Sequence, residues 1–325
     1  MPHRVAVIGA GIAGMACARE LRRAGHFVDM FEKGSGIGGR LGSLRMGTQS
    51  FDHGAQYITA RTTLFRAFID ELMSLGYLQR WQPRIAMAQE DFNGSMLPWY
   101  VGAPTMAAIV RPLAESVRVF LGRAAHTIAR EPGGWWVWFD DETREGPYSS
   151  IAIAVPAQQA ALLLGPLDEM AHVLSAVRIA PCWSVSIRLS EPVLPKFDVY
   201  SDMSQTVRWV CRNSAKPGRR SREEHVVVHA SQAWSRETED LQPSVVAEEL
   251  WAEVCHLLNI PPQQPAQMVA HLWKYGLTDR PLGEGCVFST KDRVGVAGDW
   301  CTGRLAEHGF ASGHALARAI NGALS

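Results

Sequence analysis

The sequence predicts an α/β fold: a mostly parallel sheet wound with helices, interrupted by an α+β domain on an antiparallel sheet. Three observations predict it. Near the N-terminus an apolar, β-branched run leads into closely spaced glycines and a helical pattern. Near the C-terminus a second apolar run, Arg293 to Ala297, leads into another glycine-spaced helix. Between the two, apolar runs follow one another without helices, as antiparallel strands do. With 325 residues, 47% of them hydrophobic, the chain can bury two cores.

Arg4 to Ile8 reads as a parallel strand buried on both faces. Gly9, Gly11 and Gly14 then form G-x-G-x-x-G. The first permits the tight turn, the second a close approach of backbone to a pyrophosphate, the third close packing of helix on sheet. A helix from about Ile12 to Ala24 points its free amides and dipole at those phosphates. Gly25 ends it, Phe27 to Phe31 makes the second strand, and Glu32 stands 18 residues past Gly14, placed to accept from ribose hydroxyls. A Rossmann-type dinucleotide-binding unit follows from that context.

The unit by itself suits NAD or FAD. Gly34 to Arg40, "GSGIGGR", adds a second glycine turn near the same phosphates, with Arg40 as a forked cation. The late strand ends in Gly298 and Asp299, and the helix from about His308 to Leu324 would bring a second N-terminus over the cofactor.

With "FDHGAQYITAR" (Phe51 to Arg61), "RWVCRNSAKP", "HASQAWSR", "HLWKYG" and "GDWCTGRLAEHGFASG", these motifs resemble the flavin-containing amine oxidase superfamily, and within it the bacterial renalase-like proteins. The resemblance runs over essentially the whole chain. It implies non-covalent FAD and a Rossmann-type domain interrupted by a substrate domain, as in amine oxidases and p-hydroxybenzoate hydroxylase. The FAD domain is expected at residues 1–60, 101–170 and 283–325, the substrate domain at 61–100 and 171–282. The implied cofactor contacts are Gly9, Gly11, Ile12, Ala13, Gly14, Glu32, Lys33, Gly39, Arg40, Ala55, Gln56, Gly298, Asp299, Glu307 and Gly309. Ala125 is a guess for a backbone contact to adenine. Where such proteins usually read Glu-Gly-Ala, this one has Glu307-His308-Gly309. His308 could touch the flavin's pyrimidine end, but a turn residue more often faces solvent.

Val117 to Tyr148 is strand-rich, with "GGWWVWFDDE" as a meander covering the adenine half. Ser149 to Val155 returns to the main sheet, and Pro156 opens a helix. Pro181 to Ser190, Gln205 to Asn213 and His225 to Ser231 alternate as strands of the second sheet, and Ser244 to Leu258 is an amphipathic helix against it.

By the resemblance, the flavin lies between the layers and faces the second sheet. Its ring does the redox chemistry, so the protein must position a donor carbon about 3–3.5 Å away and exclude water. Candidate wall residues are Gln56, Tyr57, Trp209, Asn213, His229, Trp234 and Trp273, with Tyr275 beside them. Each has a plainer reading. Most of eleven Trp belong to cores, and His229 ends an apolar strand as a satisfied core histidine does. Lys274 reads first as a solvent-facing strand residue. The four cations of "KPGRRSRE" (Lys216 to Glu223) read first as a solvated loop, and otherwise as a phosphate contact at the cleft mouth.

Charge balances at 32 basic and 32 acidic residues, so no global field calls for nucleic acid or an anionic membrane. No apolar run approaches the roughly 18 residues of a spanning helix, and with a strand already starting at Val5 no leader is expected. Six scattered Cys suit a reducing cytoplasm. No nucleophile elbow or zinc spacing is present, so no metal is expected. The resemblance implies oxidation of 2- and 6-dihydro isomers of NAD(P)H, with hydride passing to flavin and on to O2, giving NAD(P)+ and H2O2. Oxidation of an amine or desaturation of another small molecule stays open, as does a flavin-binding module without turnover. The oligomeric state is not legible.

Overall fold

The fold was determined as a computed structural model, which describes residues 1–87, 97–165, 167–219, 221–261 and 264–325. The first sheet has six strands in the order Val287–Ser289, Val294–Val296, Ser150–Ile153, Arg4–Ile8, Phe27–Glu32 and Arg118–Leu121. All pairs are parallel except the edge pair Val287–Ser289 with Val294–Val296. The central strands are mostly apolar because both faces are covered, with Arg4 and Asp29 paired to each other near one end. On one side lie the first helix, Ile12–Arg23, and the last, Ala306–Leu324. The other side is covered by a three-stranded meander, Ala125–Glu131, Gly134–Phe139 and Arg144–Tyr148. The strand-rich stretch therefore divides: Arg118–Leu121 belongs to the parallel sheet and only the rest is the meander.

The second sheet also has six strands, in the order Gln267–Arg280, Arg178–Leu189, Glu224–Ala230, Val207–Arg212, Val199–Ser201 and Ile85–Met87. Strict alternation gives it two faces. Trp183, Val185, Ile187, Val226 and Val228 pack against helix Pro243–Leu257, forming a closed apolar core. Register puts Ser184 opposite His229 and His271, and Cys182 opposite Trp273, on the other face. That face looks toward the nucleotide unit. Among the strands not foreseen are two short cases. Ile85–Met87 is only three residues long, and Trp99–Gly102 pairs with Leu78–Trp81 as a separate ribbon. Too short for a period of two to show, both depend on tertiary contacts.

No helix among the described residues is long and apolar enough to cross a membrane. All six cysteines are free thiols.

Candidate active site

The glycine turn explains its own composition. At Gly9 φ is +100°, and a Cβ would lie 2.6 Å from the Ala154 carbonyl oxygen. A Cβ on Gly14 would lie 2.0 Å from the Gly9 carbonyl, whereas one on Gly11 meets nothing within 4 Å. The first and third glycines are thus fixed by the protein's own packing, and the second borders open space where a pyrophosphate fits. The second turn is knitted to the first by Gly38 N–H donating to the Ala10 carbonyl at 2.8 Å. Gly39 also brings its backbone against Gly11: a Cβ there would be 3.5 Å from the Gly11 Cα.

Glu32 ends its strand with both oxygens oriented by backbone amides, from Ala10 at 2.9 Å and Gly34 at 2.7 Å. Lys33 beside it is exposed. Ala125 opens its strand two residues after Arg123, whose N–H donates to the Glu32 carbonyl at 2.9 Å. The two ends of the cofactor turn are closed by the last helix. A Cβ on Gly313 would sit 2.1 Å from the Ala13 carbonyl, and one on Gly309 3.0 Å from Ile12 Cγ2. Small residues there bring the N-termini of the first and last helices together, and two positive dipole ends converge on one spot.

Three expected contacts turn out differently. Arg40 is no free cation: it forks onto the Asp299 carboxylate, with Nη1–Oδ2 at 3.0 Å, and donates to the Gly276 carbonyl at 3.1 Å. Pairing neutralises Asp299, so an anionic cofactor can approach both. Glu307 is buried, and its carboxylate accepts from the amides of Arg61 at 3.0 Å and Thr62 at 2.6 Å. It thereby anchors the start of helix Thr63–Ser74. His308 is half-buried rather than free in solvent: its Nδ1 accepts from the Leu305 amide at 3.3 Å and caps the helix.

Opposite the turns, segment 51–57 meets the second sheet. The Gln56 amide is buried, donating to the Gly54 carbonyl at 3.0 Å and standing 3.4 Å from His229 Nε2. Ala55 N–H donates to the Arg40 carbonyl at 2.8 Å, linking this segment to the second glycine turn. The His53 carbonyl accepts from Trp273 Nε1 at 3.0 Å, and the His53 ring lies 4.9 Å from Trp273 and 5.2 Å from His271. Tyr57 stacks on Trp99 with centroids 3.8 Å apart at 7°, and Trp209 lies 5.8 Å from Tyr57. Gln56, Tyr57, Trp209, His229 and Trp273 therefore come together on one side of the second sheet. Lys274, next in the strand, is exposed.

Two wall candidates leave the group. Trp234 packs with the closed core on the opposite face of the sheet. Asn213 is fully buried and braces backbone, accepting from Asp52 N and donating to the Ser50 carbonyl at 3.1 Å. The basic loop was misjudged as well. Lys216 and Arg219 turn inward and both pair with the buried Asp52 carboxylate, at 3.2 and 2.7 Å. Lys216 Nζ also donates to Gln56 Oε1 at 3.0 Å. Arg220, another cation of that loop, lies outside the described residues.

Burial alone would push the Asp52 carboxyl up. Lys216, Arg219 and the Met106 amide overcome it and hold the group below the ordinary range. His229 is pushed down to about 3 by burial and by the nearby Lys216 charge, against the pull of the His53 carbonyl. Burial and His271 bring His53 down to about 4. Both imidazoles are neutral at pH 7. Burial raises the Cys182 thiol to about 12, so it stays protonated. The face offers aromatic planes and neutral hydrogen-bonding groups. Ser184 Oγ, Ser186 Oγ, Trp209 Nε1 and His53 Nδ1 are buried without a hydrogen-bond partner among the described residues, as atoms bordering a bound group would be.

Residues 83–321 match the sequence profile described as flavin containing amine oxidoreductase. The chain belongs to that family. Residues 7–72 match an NAD(P)-binding Rossmann-like domain. As a family member the protein is an FAD-dependent oxidoreductase. Over a stretch of 37 residues the chain is 68% identical to a flavin-containing monooxygenase of Arabidopsis thaliana, covering 11% of this chain and 8% of that protein. It is 60% identical over 40 residues to zeta-carotene desaturase of Synechocystis, covering 12% and 8%. Those matches thus span only a small part of the relatives' length. Two solved structures share the fold over almost everything. A protein from Exiguobacterium superimposes with a TM-score of 0.78 at 11% identity, covering 99% of both chains. Cyclohexylamine oxidase from Brevibacterium oxydans gives 0.75 at 14%, covering 100% of both.

The site meets the family's cofactor on its own terms. Gly11 leaves a cradle, Glu32 a pinned carboxylate for ribose, and the two helix N-termini a field for phosphate. Asp52, Lys216 and Arg219 had no clear signal of their own. Asp52 lay unremarked inside a recognised motif, and a lysine in a polar run looks the same whether it folds in or out. Trp99 and Ser184 carried no signal beyond their residue type.

Proposed function

We propose that this enzyme oxidises 2- and 6-dihydro isomers of NAD(P)H to NAD(P)+. The observation that carries the reading is the chemistry of the wall: aromatic planes beside imidazoles kept neutral, with the nearby Asp52 carboxylate locked onto Lys216 and Arg219. A dihydronicotinamide ring is planar, neutral and already poised to give up hydride, since loss of hydride restores aromaticity. Such a reaction needs positioning and little proton handling. Bound FAD supplies the two-electron acceptor, and O2 takes the electrons in turn to give H2O2. Trp273, Tyr57 and Trp209 would sandwich and shield the ring, while Gln56, fixed by Lys216, and the free Ser184 and Ser186 hydroxyls would meet its carboxamide. The division into an FAD domain of residues 1–60, 101–170 and 283–325 and a substrate domain of 61–100 and 171–282 belongs to this proposal, as does action in the cytoplasm.

A second reading has its own support. Tyr57, Trp99 and Trp209 cluster closely enough to cage a neutral amine, and cyclohexylamine oxidase shares the fold. Anaerobic rapid mixing of the yellow protein separates the two. Fast flavin bleaching by the 2- and 6-dihydro isomers, with ordinary NADH and an amine panel inert, upholds the first. Bleaching by amines alone replaces it with the second.

A further inference from the structure

Beyond the aromatic wall, a cavity of about 830 Å³ opens between the ends of the second sheet and the loop preceding the last helix. Its lining includes Arg208 on strand Val207–Arg212, Gln232 and Arg236 on helix Gln232–Glu237, and Arg304 two residues before helix Ala306–Leu324. Arg236 is committed to Asp279. Arg208 and Arg304 are different: neither guanidinium has an ion-pair or hydrogen-bond partner among the described residues. Asp202, exposed at the rim, is the carboxylate in the same lining. Two uncommitted forked cations facing one cavity repel each other and would repel an ammonium group. They are suited to a doubly charged, oxygen-rich anion.

The cavity adjoins the reaction wall. Arg208 is next to Trp209 in the chain, and its charge acts on Tyr57, His229 and Cys182. Arg304 approaches from the opposite layer, so an anion held between the two would be gripped by both domains. The role that the sequence suggested for the Lys216–Arg222 loop cannot be played by Lys216 or Arg219, which are buried on Asp52.

We propose that this cleft is the phosphate-binding half of the substrate site. Arg208 and Arg304 grip the pyrophosphate of a dinucleotide whose ring lies against Tyr57, Trp209 and Trp273. The proposal rests on the dihydronicotinamide reading and narrows it to phosphate-bearing substrates.

The test uses FAD-loaded protein and the double variant Arg208→Gln/Arg304→Gln. Arg304→Gln alone, at an exposed position, is the fallback should the double variant lose its flavin. Two quantities are measured: the concentration dependence of anaerobic bleaching by the dihydro isomers of NADH, and calorimetric binding of inorganic pyrophosphate. The expected result is at least about a tenfold rise in the apparent Kd of the isomers, from losing charge-assisted hydrogen bonds. Phosphate-free 1-methyl-1,6-dihydronicotinamide should be affected far less, and pyrophosphate binding to the parent should disappear in the variant. If the isomers fail to bleach the parent but pyrophosphate binding is lost on substitution, the anion cleft stands and the substrate reading falls. Equal binding of pyrophosphate and of the isomers by parent and variant overturns the cleft.

Discussion

Single residues set the chemistry of the two faces. Gly11 borders open space while its neighbours Gly9 and Gly14 are boxed in, so Gly11→Val should fold and yet lose FAD. Yellow, soluble Gly11→Val protein would show that the pyrophosphate lies elsewhere. Glu32 holds two backbone amides, and Glu32→Ala should weaken FAD retention by about tenfold through the lost charged hydrogen bonds; equilibrium dialysis reads it. Lys216 is an unusual residue to find with no exposed side-chain surface. Lys216→Met would leave Asp52 with Arg219 as its one charged partner among the described residues and remove the donor to Gln56 Oε1. A loss of about 3 kcal/mol is expected, read from urea midpoints, together with slower substrate-driven flavin reduction. Unchanged stability would mean that Arg219 suffices for the carboxylate.

Elements carry the positioning. The crossing of the first and last helices depends on Gly313, where a Cβ would strike the Ala13 carbonyl. Gly313→Val must push the helices apart, at a cost of about 1–3 kcal/mol, and separate the two N-termini that face the cofactor. Its thermal midpoint and FAD affinity should fall together; a drop in stability with undiminished flavin binding would detach that crossing from the cofactor site. The second sheet supplies a paired test of its faces. Trp273→Ala should slow bleaching by substrate with little effect on bound flavin. Trp234→Ala, on the closed face, should instead lower stability by about 2–3 kcal/mol, less than a fully buried Trp, and leave the bleaching rate near the parent's. Equal kinetic effects would contradict the assignment of faces.

At the scale of the whole molecule, closing two layers over one site withdraws imidazoles from water, and this has a pH signature. In the unfolded chain His53 and His229 titrate near the ordinary value of about 6.5; folded, they are pushed to about 4 and about 3. Below pH 6.5 the unfolded chain therefore binds protons that the folded one does not, and stability falls as pH drops from about 6.5 toward 4. Thermal midpoints should be level from pH 7 to 8 and decline below 6.5, and His229→Gln should make that decline shallower over its whole span. A midpoint that is level down to pH 5 would mean that both rings are solvated.

How far the molecule could be read in advance depended on the range of the interactions. The nucleotide unit was legible because its signals are local: strand, glycine turn, helix and acid follow within about thirty residues, and each glycine answers a nearby backbone constraint. The second sheet was legible as strands, since alternation shows over six or seven residues. The Lys216 pairing was not, because Asp52 lies 164 positions away and a basic loop has the same composition in either orientation. Trp234 was misplaced because its motif fixed its neighbourhood and left its face undecided.

The amino-acid sequence by itself determined the parallel cofactor sheet, its phosphate turns and the existence of an antiparallel partner layer, all encoded in short-range pattern and backbone geometry. Only the tertiary structure decided which face of that second sheet confronts the cofactor turns. It also decided which charges are buried against Asp52 and which, Arg208 and Arg304, remain uncommitted. Those outcomes follow from closing distant segments onto each other, where burial makes a carboxylate select its cations.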